Sequence, residues 1–206
     1  MLCRCLILCY YINMEIRLAN KNDDKKQLAR LLYYVDPYIY PYWLGSCEEG
    51  EDTLVQLLED KNSIFYYKNC IIVKDGDEYV GVFSFIPANP QLSLDYSKYN
   101  VDFQSQHVIK YYILDIINNL IPDDVCVVGL YVAPSHRRKG IATRMFEFLF
   151  KHIPCKTVSL EVLQDNIPAK RLYETLDFKI TKTYKGYNGY KKRKPVCHIM
   201  SKTIKK

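Results

Sequence analysis

No uninterrupted apolar run in this 206-residue chain approaches the roughly 20 residues a membrane-crossing helix requires. Its eight cysteines, at positions 3, 5, 9, 47, 70, 126, 155 and 197, form no paired CxxC units, so the spacing of a zinc site is missing and no metal is expected. A chain of this length buries a core without disulfides, which leaves reduced thiols and a cytoplasmic setting as the expectation. There is no internal repeat, no low-complexity linker and no helix-turn-helix, zinc-finger or RNA-recognition signature. A formal charge of +6 suits an anionic partner of some kind, but without such a signature nucleic acid ranks low.

What is present is ordinary for a globular domain: 49% hydrophobic and 25% charged residues, in a length near that of one domain. The 19 tyrosines accompany many Lys, Ile and Asn residues and carry no functional weight by themselves. Met1 to Ile12 is apolar and cysteine-rich but lacks a small-residue cleavage site, and Met14 opens a strand-like run. Residues 1–13 are therefore expected to lie outside the fold as an extension, with 14–206 as one domain.

Along the chain, Asp23 and Asp24 cap a helix striped by Leu28, Leu31, Leu32 and Val35 that ends at Asp36-Pro37. An aromatic connector (Tyr38, Tyr40, Tyr42, Trp43) leads to a short helix around Leu54, Leu57 and Leu58. Ile64 to Val73 and Tyr79 to Ile86 read as a hairpin about Asp75-Gly76. After a loop, Ile109 to Leu120 carries a helical stripe. Val125 to Val132 reads as a buried central strand and Ile141 to Ile153 as a helix. Thr157 to Leu163 is a strand, Ala169 to Leu176 a helix, and Phe178 to Tyr184 and Val196 to Thr203 two closing strands. The order predicts an α/β fold with a mixed sheet.

The informative segment is Val132 to Ala142, between the buried strand and an amphipathic helix. First-turn N–H groups lack intrahelical partners and carry the positive end of the helix dipole, which suits a pyrophosphate. Gly140 and Ala142 remove bulk, while Arg137, Arg138 and Lys139 add charge. Taken alone, a loop with one glycine is also read as a solvated basic turn.

Arg137-x-x-Gly140-x-Ala142 resembles the acyl-CoA loop of the Gcn5-related N-acetyltransferase (GNAT) family, and Leu160-Glu161-Val162, Asn166, Ala169, Leu172-Tyr173-Glu174 and Phe178 resemble its second motif. Asp177 stands where that family usually has glycine. The resemblance implies a mostly antiparallel sheet of six to seven strands, splayed at the cofactor strand and flanked by helices, with acetyl-CoA as cosubstrate. It assigns pantetheine contacts to the backbone of Leu130, Tyr131 and Val132, and the pyrophosphate to Arg137, Arg138, Lys139, Gly140, Ile141, Ala142 and Thr143. Asn166 would approach the pantetheine and Tyr173 the thioester sulfur as general acid. Glu161 is the candidate base, because the strand from Val125 to Val132 holds no carboxylate. A core tyrosine, a solvent-facing glutamate and deprotonation through water are the competing readings.

The implied activity is transfer of acetyl to a primary amine of a small molecule or a protein N-terminus, with a homodimer left open. A non-catalytic acyl-CoA-binding module of the same fold is the alternative. The basic run Lys191 to Lys194 and the aromatic connector are the parts from which acceptor recognition is expected.

Overall fold

The computed structural model describes residues 14–37, 39–87, 90, 92, 95–99, 101, 106–107, 110, 124–185 and 196–205. The stripe from Ile109 to Leu120, the basic run Lys191 to Lys194, Tyr38 and the extension 1–13 lie outside the described residues. The elements are β1 (Met14–Leu18), α1 (Lys25–Tyr33), α2 (Ile39–Leu44), α3 (Cys47–Glu59), β2 (Cys70–Asp75), β3 (Glu78–Ile86), β4 (Val125–Val132), α4 (Ile141–His152), β5 (Thr157–Leu163), α5 (Ile167–Thr175), β6 (Lys179–Lys185) and β7 (Val196–Thr203). No helix among the described residues is long and apolar enough to cross a membrane.

The seven strands form one sheet in the order β1-β2-β3-β4-β5-β7-β6, with every pair antiparallel except β4 and β5. The sheet is mixed, as the element order predicts, and mostly antiparallel, as the family resemblance implies. Period-two alternation divides its side chains between two cores. Ile72 and Val82 join Leu28, Leu32, Leu54 and Leu58 of α1 and α3 on one face. Ile71, Val73, Phe83, Val127 and Leu160 join Met145, Phe146, Leu149 and Tyr173 of α4 and α5 on the other. The outer strand β6 is exposed along nearly its whole length and carries Lys179, Lys182 and Lys185.

Three local departures from the sequence reading have physical causes. The connector from Ile39 to Leu44 is helical, and Tyr40 is fully buried against Phe65. Packing of that ring outweighs weak aromatic helix propensity. The helix around Leu54 begins earlier, at Cys47, because Ser46 and Glu49 form a reciprocal capping box. Strand β2 begins at Cys70 and not at Ile64, since Tyr67–Asn69 is a 3-10 turn.

The entry to α1 is held by a buried ionic knot. Asp23, 7% exposed, receives two 2.7 Å bonds from the Arg17 guanidinium, one from the Asn20 amide (2.6 Å) and one from the Tyr79 hydroxyl (2.8 Å). Burial alone raises a carboxyl pKa, but the Arg17, Asn20 and Tyr79 hydrogen bonds outweigh it and hold this group well below the usual carboxylate range. With the folded pKa depressed, the contribution is present above the unfolded value of about 4 and is lost as pH falls through and below it. Asp23→Asn is expected to lower the melting temperature at neutral pH, with the gap to wild type narrowing from about pH 5 to pH 2; a gap independent of pH would contradict the assignment.

Candidate functional site

Strands β4 and β5 pair in register only at Val125↔Val158, Cys126↔Ser159 and Val127↔Leu160. The cause of the divergence lies on β4. Its register with β3 runs Val127↔Phe85 and then Gly129↔Ser84, so Val128 is an extra residue and forms a β-bulge. A bulge bends its strand and increases the local twist, here immediately after the last β4–β5 pair. From Gly129 to Val132, β4 pairs with β3 alone, and a wedge opens toward the loop that follows. Gly129 is also where the segment just past α1 approaches the strand, since a Cβ there would lie 2.5 Å from Val35 Cγ1. A glycine inside a strand pattern signals a bulge or a close approach, and this was the missed clue in the sequence.

The wedge leads to the Val132–Ala142 loop. Ala133 N–H donates to Val80 O (2.8 Å), and a 3-10 turn spans Pro134–His136. Arg138 (φ 62) and Gly140 (φ 74) both adopt the left-handed region. For a non-glycine residue that conformation costs roughly 1 kcal/mol and is characteristic of functional loops. Gly140 is the N-cap of α4 and offers no side-chain cap, and the first turn holds no acidic residue. The backbone N–H groups of Ile141, Ala142 and Thr143 thus lack both intrahelical and side-chain acceptors at the positive end of a twelve-residue helix. Ile141 contributes backbone only, because its side chain is buried in the core. This donor set fits a diphosphate.

Arg137 is less available to an anion than its position in the sequence implies. Its Nε donates to Val132 O (2.9 Å) and its guanidinium lies 5.5 Å from the Tyr131 ring centre. Tyr131 in turn stacks on half-exposed Tyr34, the C-cap of α1, at 5.7 Å. Leu130 and Tyr131 are half-buried and Val132 is buried along the wedge. Arg138 is exposed, Lys139 half-buried, and the Asn166 side-chain oxygen caps α5 by accepting from Ala169 N–H (3.3 Å).

Tyr173 and Glu161 sit on opposite faces of the sheet. Tyr173 is 9% exposed, with its ring 5.8 Å from Phe146 and 6.0 Å from Phe178, and burial pushes its phenol up to about 12. The phenol therefore stays neutral across the physiological range. Glu161 is one residue past the end of the β4–β5 ladder, between the buried Leu160 and Val162, so it points to the α1–α3 side. Its carboxylate accepts from the Tyr184 hydroxyl of β6. Cys126 is on the same face, opposite Ser159, its thiol pushed up to about 12 by burial. Neither Tyr34 nor Tyr184 was singled out by sequence spacing, because both reach this face only through the sheet order.

The end of α5 explains the Asp177 departure. Phe178 N–H donates to Tyr173 O (3.0 Å) and Asp177 N–H to Glu174 O (3.0 Å), the two bonds of a Schellman motif, with Asp177 at φ 66 in its left-handed position. The aspartate keeps the geometry that glycine adopts without cost, and the motif anchors the Tyr173 backbone.

Residues 32–178 match the Acetyltransferase (GNAT) family, and the chain belongs to that family. An N-alpha-acetyltransferase from Saccharolobus solfataricus is 43% identical over 65 residues, 30% of this chain and 39% of that protein, so the aligned stretch spans well under half of the curated relative. An N-acetyltransferase structure from Staphylococcus aureus Mu50 superposes with a TM-score of 0.67 at 18% identity, covering 91% of this chain and 100% of that one. A Salmonella typhimurium structure with its cofactor acetyl-CoA gives 0.58 at 16% identity, covering 94% and 95%. At these identities the two superpositions speak for the fold.

Asp177→Gly is expected to stabilise the protein by about 0.5–1 kcal/mol, since glycine relieves the left-handed strain. The exposed Lys202–Asp177 pair at 3.6 Å, which the change removes, offsets little of that. Urea unfolding measures the difference, and a destabilised variant would contradict the strain assignment.

Proposed function

We propose that this chain is an N-acetyltransferase that moves an acetyl group from acetyl-CoA to a primary amine by direct transfer. The observation that carries the reading is the wedge between β4 and β5, which opens onto the uncapped N-terminus of α4 and is flanked by a buried phenol and an exposed carboxylate on opposite faces. Acetyl-CoA supplies an activated thioester. The Ile141, Ala142 and Thr143 amides, with Arg138 and Lys139 beside them, hold its diphosphate, and the backbone of Leu130, Tyr131 and Val132 orients the pantetheine arm. Arg137 braces the loop, and Asn166 stands at the wedge margin as the α5 cap.

Direct transfer needs a neutral amine placed against the thioester carbon and a proton for the departing sulfur. Glu161, exposed on the α1–α3 face and oriented by the Tyr184 hydroxyl, takes the amine proton or relays it to water. Tyr173 keeps its proton at the hydroxyl oxygen because burial disfavours the phenolate. Base and acid act from the two sides of the sheet, so the acceptor enters from the α1–α3 side. The acceptor is a small molecule or a protein N-terminus, and the name of the curated relative, N-alpha-acetyltransferase, supports the latter.

A panel of amines with acetyl-CoA, read by release of free thiol, tests the activity. Tyr173→Phe is expected to lower turnover by about 100-fold while leaving acetyl-CoA affinity within about twofold. Undiminished turnover removes Tyr173 as the acid, and acetyl-CoA binding with no turnover on any amine favours a binding module.

A further inference from the structure

The loop that receives the diphosphate is braced from outside by a contact absorbed by none of the roles above. His136 closes the 3-10 turn immediately before Arg137, and its side chain is only 11% exposed. Its Nε2 lies 3.2 Å from Asp75 Oδ2 and its Nδ1 2.9 Å from Ser135 Oγ. One protonation pattern satisfies all three groups: Nε2–H donates to the carboxylate, and the Nδ1 lone pair accepts from the serine hydroxyl. This tautomer is assigned from the partners. The bracing is thus complete in the neutral ring.

Asp75 is the last residue of β2, paired with Met14 of β1 and with Glu78 across the two-residue turn Gly76-Asp77. Three contacts hold the start of the loop. Ala133 N–H to Val80 O and Arg137 Nε to Val132 O tie it to β3 and β4. The His136 contact alone among them reaches the tip of the β2–β3 hairpin. Arg138 must hold the left-handed region and Gly140 must open α4 at the right angle for the amides of residues 141–143 to converge. A turn anchored at both ends keeps those dihedrals, whereas a turn released at His136 has more conformers to lose when the anion binds.

Ser135, His136 and Asp75 also have the residue types of a hydrolytic relay. Their place excludes that role here, because they lie at the diphosphate end of the wedge and the thioester end is marked by Glu161 and Tyr173.

We infer that His136 is a positioning residue for acetyl-CoA, acting through Asp75 to hold the diphosphate loop in its binding conformation. The inference rests on the acetyl-CoA reading above and assigns a job to two residues which that reading leaves without one.

The test is calorimetric titration of the full chain with acetyl-CoA across a cycle of variants. His136→Ala and Asp75→Ala are each expected to weaken binding about five- to tenfold, the size of one ordinary hydrogen bond lost. The double variant should be no weaker than the worse single one, because both break the same contact. His136→Gln and Asp75→Asn keep a donor facing an acceptor and are expected to recover affinity to within about twofold of wild type. With an amine from the panel, KM for acetyl-CoA should rise in His136→Ala while kcat holds. If wild type binds acetyl-CoA and the alanine variants bind it equally well, or their losses add, or the conservative variants fail to recover, His136 has no positioning role and the acetyltransferase reading stands. If wild type itself does not bind acetyl-CoA, that reading fails and the inference with it.

Discussion

The separation of β4 from β5 is the constraint on which the rest of the site depends. A parallel pair that continued past Val127 and Leu160 would satisfy its backbone groups internally and leave no room between the strands. One extra residue, Val128, ends that pairing by bending β4 away while its other edge stays bonded to β3. The backbone edge of β4 from Gly129 to Val132 is thereby left without a neighbour strand on that side. The same bend directs the chain at Val132 into the loop and then into the uncapped start of α4. A local defect in one ladder thus shapes both the opening between β4 and β5 and the direction in which the chain enters α4.

The two cores divide the work around that opening. On the α4–α5 side the packing is dry and aromatic, and Phe146, Phe178 and Tyr173 form a cluster in which the phenol has no reason to ionise. On the α1–α3 side the surface is polar and partly open, with Glu161, Tyr184, Tyr34 and Tyr131 around the wedge. The sheet thus separates a buried phenol on one side from a carboxylate on the more open side.

Much of this was legible from residue order alone, for reasons that differ by element. Strands β4, β5 and β7 were read to the residue because their apolar runs end at Pro134, at the polar 164–166 turn and beyond Thr203. Helix α4 was bounded by Gly140 and Pro154. Helix α2 was not, since its signal is a buried Tyr40 whose partner, Phe65, is 25 positions away. The Ser46–Glu49 capping box that starts α3 was in the sequence and was overlooked. In the site, Gly140 and Tyr173 carry local signatures. The opposite-face geometry of Glu161, the Tyr184 contact and the His136–Asp75 contact exist only once strand order and register are known, because each joins residues 23 to 61 positions apart or depends on which way a strand alternates. The role of Asp177 was also beyond spacing: its unusual φ, and not its charge, is what the helix end requires.

The lysines on β6 bear on how copies of this protein meet. An exposed terminal strand offers free amide and carbonyl groups to any passing chain, and closely spaced positive side chains make a like-charged copy an unwelcome guest. Sheet-to-sheet continuation across this border is therefore disfavoured, and a pair of subunits would have to join through helices or loops elsewhere. Growth into ribbons is thereby discouraged along the border whose Tyr184 holds the Glu161 carboxylate.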